Sequence, residues 1–124
     1  MTDKQFQDFK TAYVAALLWS TSLDDGTYFD DIAQGIDDFT PEAVARVEAD
    51  CQSFVSQAGE LIPEEHYSQA GHDFALTRNE HGAGFWDRAT TYGGQDKADK
   101  LTKLAHTFKE INLYTNDGTT VDME

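Results

Sequence analysis

Residues 96–123 read Asp96-Lys97-Ala98-Asp99-Lys100-Leu101-Thr102-Lys103-Leu104-Ala105-His106-Thr107-Phe108-Lys109-Glu110-Ile111-Asn112-Leu113-Tyr114-Thr115-Asn116-Asp117-Gly118-Thr119-Thr120-Val121-Asp122-Met123. Two periodicities follow one another here. Leu101, Leu104, Ala105 and Phe108 recur at helical spacing, with Lys97, Lys100 and Lys103 on the other side, which predicts a helix over Asp96–Phe108. Ile111 to Tyr114 then alternates as a strand does. Asn116-Asp117-Gly118 has the chemistry of a hairpin turn, and Thr119–Met123 returns as a second strand. A helix feeding an antiparallel pair sets the fold class as α+β, mostly helical, with a small sheet near the C-terminus.

Upstream the pattern is helical. Phe6, Phe9, Tyr13, Val14, Leu17 and Leu18 share one face of a helix over Thr2–Ser20, and Thr2 with Gln5 forms a capping box. Thr40-Pro41-Glu42 opens another helix: a hydroxyl N-cap, proline at the first helical position, then an acid at the positive helix end. Val44, Val47, Cys51, Phe54, Val55 and Ala58 continue it, and Gly59 stops it. Cys51 reads as a buried core thiol. Pro63-Glu64-Glu65 predicts a further helix to about Arg78, weakened by Gly71. Between the first two helices, residues 20–39 read as irregular, anchored by Tyr28, Phe29, Ile32, Ile36 and Phe39, with room for a helical turn near 28–34. About four helices and a hairpin thus make one domain, an acidic helical part over 1–62 and an α+β part over 63–124.

A single cysteine in 124 residues excludes a disulfide framework and a multi-cysteine zinc site. No apolar run approaches a membrane span, and no leader pattern opens the chain, so a soluble cytoplasmic protein is expected. The charge is the strongest compositional signal. Nine basic against 23 acidic residues give -14 at pH 7, beyond the roughly 2–8 typical of small domains. Residues 1–77 hold 15 acids and 3 bases, a net of -12; residues 78–124 hold 8 and 6, a net of -2. Such a balance excludes direct nucleic-acid binding and docking on anionic membranes, which need basic surfaces. It favours a basic partner, and the basic grooves of a cell are mostly those that hold nucleic acid. The pairs Asp24-Asp25, Asp30-Asp31 and Asp37-Asp38 are the candidate partner-binding residues, imitating phosphate charge. The bland alternative is a solubility surface adapted to a salty host. Asp24-Asp25-Gly26-Thr27 lacks the ligand spacing of a calcium-binding EF-hand loop.

Residues 71–88 are dense in chemistry: Gly71-His72-Asp73-Phe74-Ala75-Leu76-Thr77-Arg78-Asn79-Glu80-His81-Gly82-Ala83-Gly84-Phe85-Trp86-Asp87-Arg88. The candidate catalytic residues are His72, Asp73, Arg78, His81, Asp87 and Arg88, suited to acid/base work or to a metal-dependent hydrolase. His72-Asp73 resembles the pair of HD phosphohydrolases, with His66 too close upstream for that fold. His81-Gly82-Ala83-Gly84, flanked by Arg78 and Arg88, offers an anion cradle without the full phosphate-loop pattern. A structural reading competes and is favoured. In it Gly82 and Gly84 turn the chain at positive φ, and Phe74, Phe85 and Trp86 enter the core. Asp73 and Asp87 pair with Arg78 and Arg88, while His72 and His81 bond turn backbone. His106 is expected in solvent, and His66 beside its glutamates.

The string His72-Asp73-Phe74-x-Leu76-Thr77-Arg78-Asn79-x-His81-Gly82-Ala83-Gly84-Phe85-Trp86-Asp87-Arg88 resembles a motif of small proteins of tailed bacteriophages and prophages, a family without an assigned activity. That family usually has an aromatic where this chain has Ala75 and a small residue where it has Glu80. Leu101 to Tyr114 resembles it too, so the likeness spans roughly residues 65–118, and the N-terminal third matches only in character. It implies a phage accessory protein in the host cytoplasm and no reaction. With the acidity, it predicts a non-enzymatic protein that binds, and inhibits, a basic nucleic-acid-handling factor of host or phage, with no cofactor and no metal. The alternatives are a small hydrolase using His72, Asp73, His81 and Asp87, and an acidic structural protein. An exposed C-terminal strand edge permits dimerisation without requiring it.

Overall fold

The computed structural model describes residues 1–124. Four helices, α1 (Asp3–Ser20), α2 (Pro41–Ala58), α3 (Tyr67–Arg78) and α4 (Gln95–His106), precede an antiparallel pair, β1 (Leu113–Tyr114) and β2 (Asp122–Met123). The expected α+β class and the C-terminal sheet are both present. Leu113 pairs with Met123 and Tyr114 with Asp122. No helix is long and apolar enough to cross a membrane.

The helix starts are local chemistry. In α1 the Thr2 hydroxyl accepts from the Gln5 N–H at 3.1 Å, and the Thr2 N–H donates to Gln5 Oε1 at 2.8 Å, closing the capping box. In α2 the Thr40 hydroxyl accepts from the Ala43 N–H at 3.1 Å, ahead of Pro41. Helix α3 begins later than Pro63, because His66 has non-helical backbone angles and Pro63–His66 closes as a separate turn.

Helices α1 and α3 cross so closely that a Cβ on Gly71 would lie 2.0 Å from the Phe9 carbonyl oxygen. The glycine that weakens the helix by propensity is what lets the two backbones meet. Around this crossing the aromatic rings form a stack: Phe54 and Phe74 at 4.2 Å between centroids, Tyr13 and Phe74 at 5.1 Å, Phe54 and Phe85 at 5.6 Å. Each such ring fully buried contributes about 1.5–3 kcal/mol by transfer from water. Cys51 is buried within the same core, where desolvation holds its thiol far above the usual range. Leu101 and Ala105 of α4 and Ile111, Leu113 and Val121 of the hairpin region complete the core. The two halves that differ in charge therefore share one interior.

Several boundaries differ from the sequence reading. The strands are two residues long, because Asp117 holds the intervening loop in an exposed turn of its own. Its carboxylate accepts from the Thr119 N–H (2.9 Å), the Thr120 N–H (2.7 Å) and the Thr120 hydroxyl (2.9 Å), which holds its pKa well below the usual carboxylate range. Helix α4 stops at His106, and Phe108 packs on Phe54 and Phe74 from the turn that follows. The segment between α1 and α2 is more ordered than an irregular loop. Ser22 bridges Tyr28 across a tight turn, and single 3-10 turns follow at Phe29–Asp31 and Ile36–Asp38. Phe39 then bridges Val121, which ties this segment to the C-terminal hairpin.

Candidate functional site

The dense segment divides into two buried charge networks on different sides of α3. Asp73 and Arg78 are five residues apart, about 140° around a helix, and each is essentially inaccessible to solvent. Asp73 Oδ1 accepts from Arg88 Nε at 2.9 Å and from Gln69 Nε2 at 3.0 Å, and lies 3.2 Å from His72 Nδ1. Its Oδ2 accepts from the Tyr92 hydroxyl at 2.7 Å. A carboxylate has about four acceptor sites, so this one is saturated. Gln69 Nε2 also lies 3.4 Å from His72 Nδ1, so the amide, the imidazole and the carboxylate form one cluster. Burial, then the adjoining Asp73 charge, push the Tyr92 phenol far above its ordinary pKa.

Arg78 is spread over four acceptors: the carbonyls of Lys109 and Phe108 at 2.9 Å each, the Tyr13 hydroxyl at 2.9 Å, and Asp50 Oδ2 at 2.8 Å. Its guanidinium also lies over the Phe74 and Phe108 rings, at 5.4 and 5.7 Å. Lys109 adopts φ 67°, a strained value for a residue with a side chain. That conformation accompanies the turn that aims two carbonyls at Arg78.

The pairing expected from sequence is therefore half right. Asp73 does pair with Arg88, but Arg78 pairs with Asp50 of α2. Asp87 pairs with neither arginine; its Oδ1 accepts from the Gly84 N–H at 3.1 Å and closes the 3-10 turn Phe85–Asp87. His72 bonds side chains instead of turn backbone. Its ring stacks on Trp19 at 5.8 Å, and His81 meets the same indole edge-on at 5.7 Å. Gly82 and Gly84 do take positive φ, and a Cβ at Gly84 would meet the Thr77 hydroxyl at 2.0 Å. Phe74 and Phe85 are core residues, whereas Trp86 is 45% exposed. In one short turn, adjacent residues point apart, and Phe85 takes the inward place. No three His, Cys, Asp or Glu side chains gather closely enough to hold a metal ion. His106 is exposed as expected, and His66 lies 3.8 Å from Glu65. Sequence reasoning missed Tyr13, Asp50, Gln69 and Tyr92 as partners. Only a three-dimensional contact connects them to the motif.

The second candidate is the acidic segment. Asp24 and Asp25 sit in the tight turn after α1, Asp30 and Asp31 in the first 3-10 turn, Asp37 and Asp38 in the second. Three of the six hold backbone: Asp25 accepts from Thr27, Asp31 from the Tyr28 N–H, Asp38 from the Gln34 N–H. None is ion-paired, although six of the nine basic residues do pair with carboxylates elsewhere. From Thr11 to Ala45 there is no Lys, Arg or His at all. The hairpin extends this surface. Val121 donates its N–H to the Asp38 carbonyl at 2.8 Å, and the Thr40 hydroxyl donates to Asp122 at 3.0 Å. The Tyr114 hydroxyl feels Asp122 first, then Glu124 and Glu42, and its pKa is raised. Glu42, Asp122 and Glu124 thus gather around Tyr114, close to where Phe39 bridges Val121.

Fold and site together define a small acidic α+β domain with fully paired interior charges and an unpaired anionic surface. The chain matches no protein-family model, no curated protein and no solved structure.

Proposed function

We propose that this protein is a non-enzymatic accessory protein of phage type. It acts in the host cytoplasm by binding a basic, nucleic-acid-handling protein of host or phage and occupying the groove meant for phosphates. The observation that carries this reading is the set of six aspartates at 24, 25, 30, 31, 37 and 38, none neutralised by a cation, on a segment continuous with the acidic hairpin. Unpaired exposed charge of one sign steers association, raising on-rates from about 10⁵–10⁶ toward 10⁸ M⁻¹s⁻¹ at low salt, and the effect fades as salt screens it.

The test compares wild type with a variant carrying asparagine at all six positions. Both are used as bait in extracts of infected cells, and captured proteins are challenged with duplex DNA. The expected result is a basic protein held by wild type, released by salt and by DNA, and not retained by the variant. Equal retention by the variant refutes the proposal.

A second reading is acid/base hydrolysis by His72, favoured by one observation: a half-exposed imidazole oriented by a buried carboxylate. Its test is hydrolysis of model ester and phosphoester substrates by wild type and by His72→Ala: activity lost in the variant supports it, and no activity in wild type removes it.

A further inference from the structure

The turn after α1 is held rigidly. The Gly26 N–H donates to the Leu23 carbonyl at 3.1 Å and the Leu23 N–H to the Thr27 carbonyl at 2.7 Å. Asp25 ties it further by accepting from the Thr27 N–H at 3.0 Å and the Thr27 hydroxyl at 2.6 Å. Asp25 is thereby engaged, while its neighbour Asp24 makes no hydrogen bond and no ion pair and is exposed.

This turn stands against β1 across a cleft of about 160 Å³, walled by Leu23, Phe29, Leu113 and Tyr114, with Asp24 as the one charged residue in its lining. Water occupies about 30 Å³ a molecule, so the cleft takes roughly five water volumes, below the roughly 300 Å³ at which small-molecule pockets begin. It is the size of one side chain. Leu23, Phe29, Leu113 and Tyr114 line it together with the polar Ser22 and Thr115, and the nearest charges are negative: Asp24 within it, Asp122 beside Tyr114. A side chain that suits both has an apolar stem and a cationic end. Arginine suits it better than lysine, because the planar guanidinium matches a carboxylate with two hydrogen bonds and stacks on aromatic faces.

We propose that this cleft is the specificity pocket of the acidic face, taking one arginine side chain of a basic partner between Asp24 and Tyr114. The inference rests on the binding reading above: the six aspartates supply attraction at a distance, and the cleft supplies choice at contact. The turn is preorganised, so little ordering is needed when the arginine enters.

The experiment titrates two capped heptapeptides into ¹⁵N-labelled protein, one with a central arginine flanked by lysines, the other all lysine. The arginine peptide should shift the amides of Leu23, Asp24, Leu113 and Tyr114, and bind about tenfold more tightly than its lysine twin. Asp24→Asn should abolish that preference, and because Asp24 bonds nothing, the rest of the spectrum should stay in place. Asp37→Asn should weaken both peptides equally. Equal affinities in wild type, or a preference that survives Asp24→Asn, overturns the pocket and leaves the acidic-face reading standing. No binding of either peptide even at low salt overturns both.

Discussion

Replacing Gly71 with alanine tests the reasoning about the fold at its tightest point. The new Cβ would sit 2.0 Å from the Phe9 carbonyl oxygen, 2.8 Å from its carbon and 3.1 Å from its Cα. Ordinary contact starts at 3.4 Å, so α1 and α3 must part by about 1.4 Å. A radial gap of about 0.5–1 Å already forfeits a quarter to a half of a dispersion contact. The rings that span this crossing, Phe9, Tyr13 and Phe74, would lose much of theirs. Overpacking costs about 1–3 kcal/mol in general, and a backbone obstacle places this case at the upper end. Alanine returns about 1 kcal/mol of helix propensity. The net expectation is a loss of about 2 kcal/mol, or roughly 8 °C in Tm for a domain of this size. Thermal and urea unfolding followed by circular dichroism would measure it. Gly35→Ala is the control: its backbone is extended, and a Cβ there meets nothing within 4 Å. If Gly71→Ala melts at or above the wild-type temperature, the close crossing is wrong.

Three further outcomes follow from the charges. Arg78→Met should cost about 3–5 kcal/mol in urea unfolding, because it strands Asp50, two carbonyls and the Tyr13 hydroxyl; a loss under 1 kcal/mol would remove the network from the account of stability. Burial raises the pKa of both Tyr13 and Tyr92, so the stability tied to their neutral phenols is complete below about pH 10 and is lost as pH rises through the higher folded values. Absorbance at 295 nm should show these two ionising only together with alkaline unfolding, and smooth titration of all five tyrosines in an intact fold would contradict it. Raising sodium chloride from about 20 to about 500 mM should raise Tm by screening the unpaired aspartates; an unchanged Tm would mean that the carboxylates do not repel one another.

What was legible in the sequence was what local chemistry decides. Thr2 with Gln5 and Thr40 with Pro41 announce helix starts because a cap needs only residues three apart. The hairpin was visible in Asn116-Asp117-Gly118, but not the shortness of its strands, which depends on Asp117 capturing two N–H groups beyond the turn. Gly71 looked like a weakness because its justification, the Phe9 backbone, lies 62 positions away. Within the dense motif the pairing of Asp73 with Arg88 was legible, but the other pairings were not, for the same reason. Arg78 has carboxylates close by in sequence and takes Asp50 instead, since the helix turns Asp73 to another side. The six aspartates were legible as a charge. That Glu42, Asp122 and Glu124 join them required the bridge between Phe39 and Val121.

The placement of charge separates stability from binding. Both the acidic and the basic side chain buried in the core, Asp73 and Arg78, have partners at hydrogen-bond distance, and no buried polar side-chain atom lacks one. Self-repulsion on the surface does nothing for such an interior and works against compactness. A chain needing acids only for solubility could disperse them among its lysines, as Asp96 and Asp99 are dispersed along α4. Instead 35 consecutive residues, from Thr11 to Ala45, hold seven acids and no base, and the fold lays a second acidic stretch beside them. That concentration opposes folding, and under the proposed function its use is to meet a cationic partner. The salt series and the six-asparagine variant bear on the two halves of this statement separately. Screening should stabilise the free protein, while the same screening should weaken its complex.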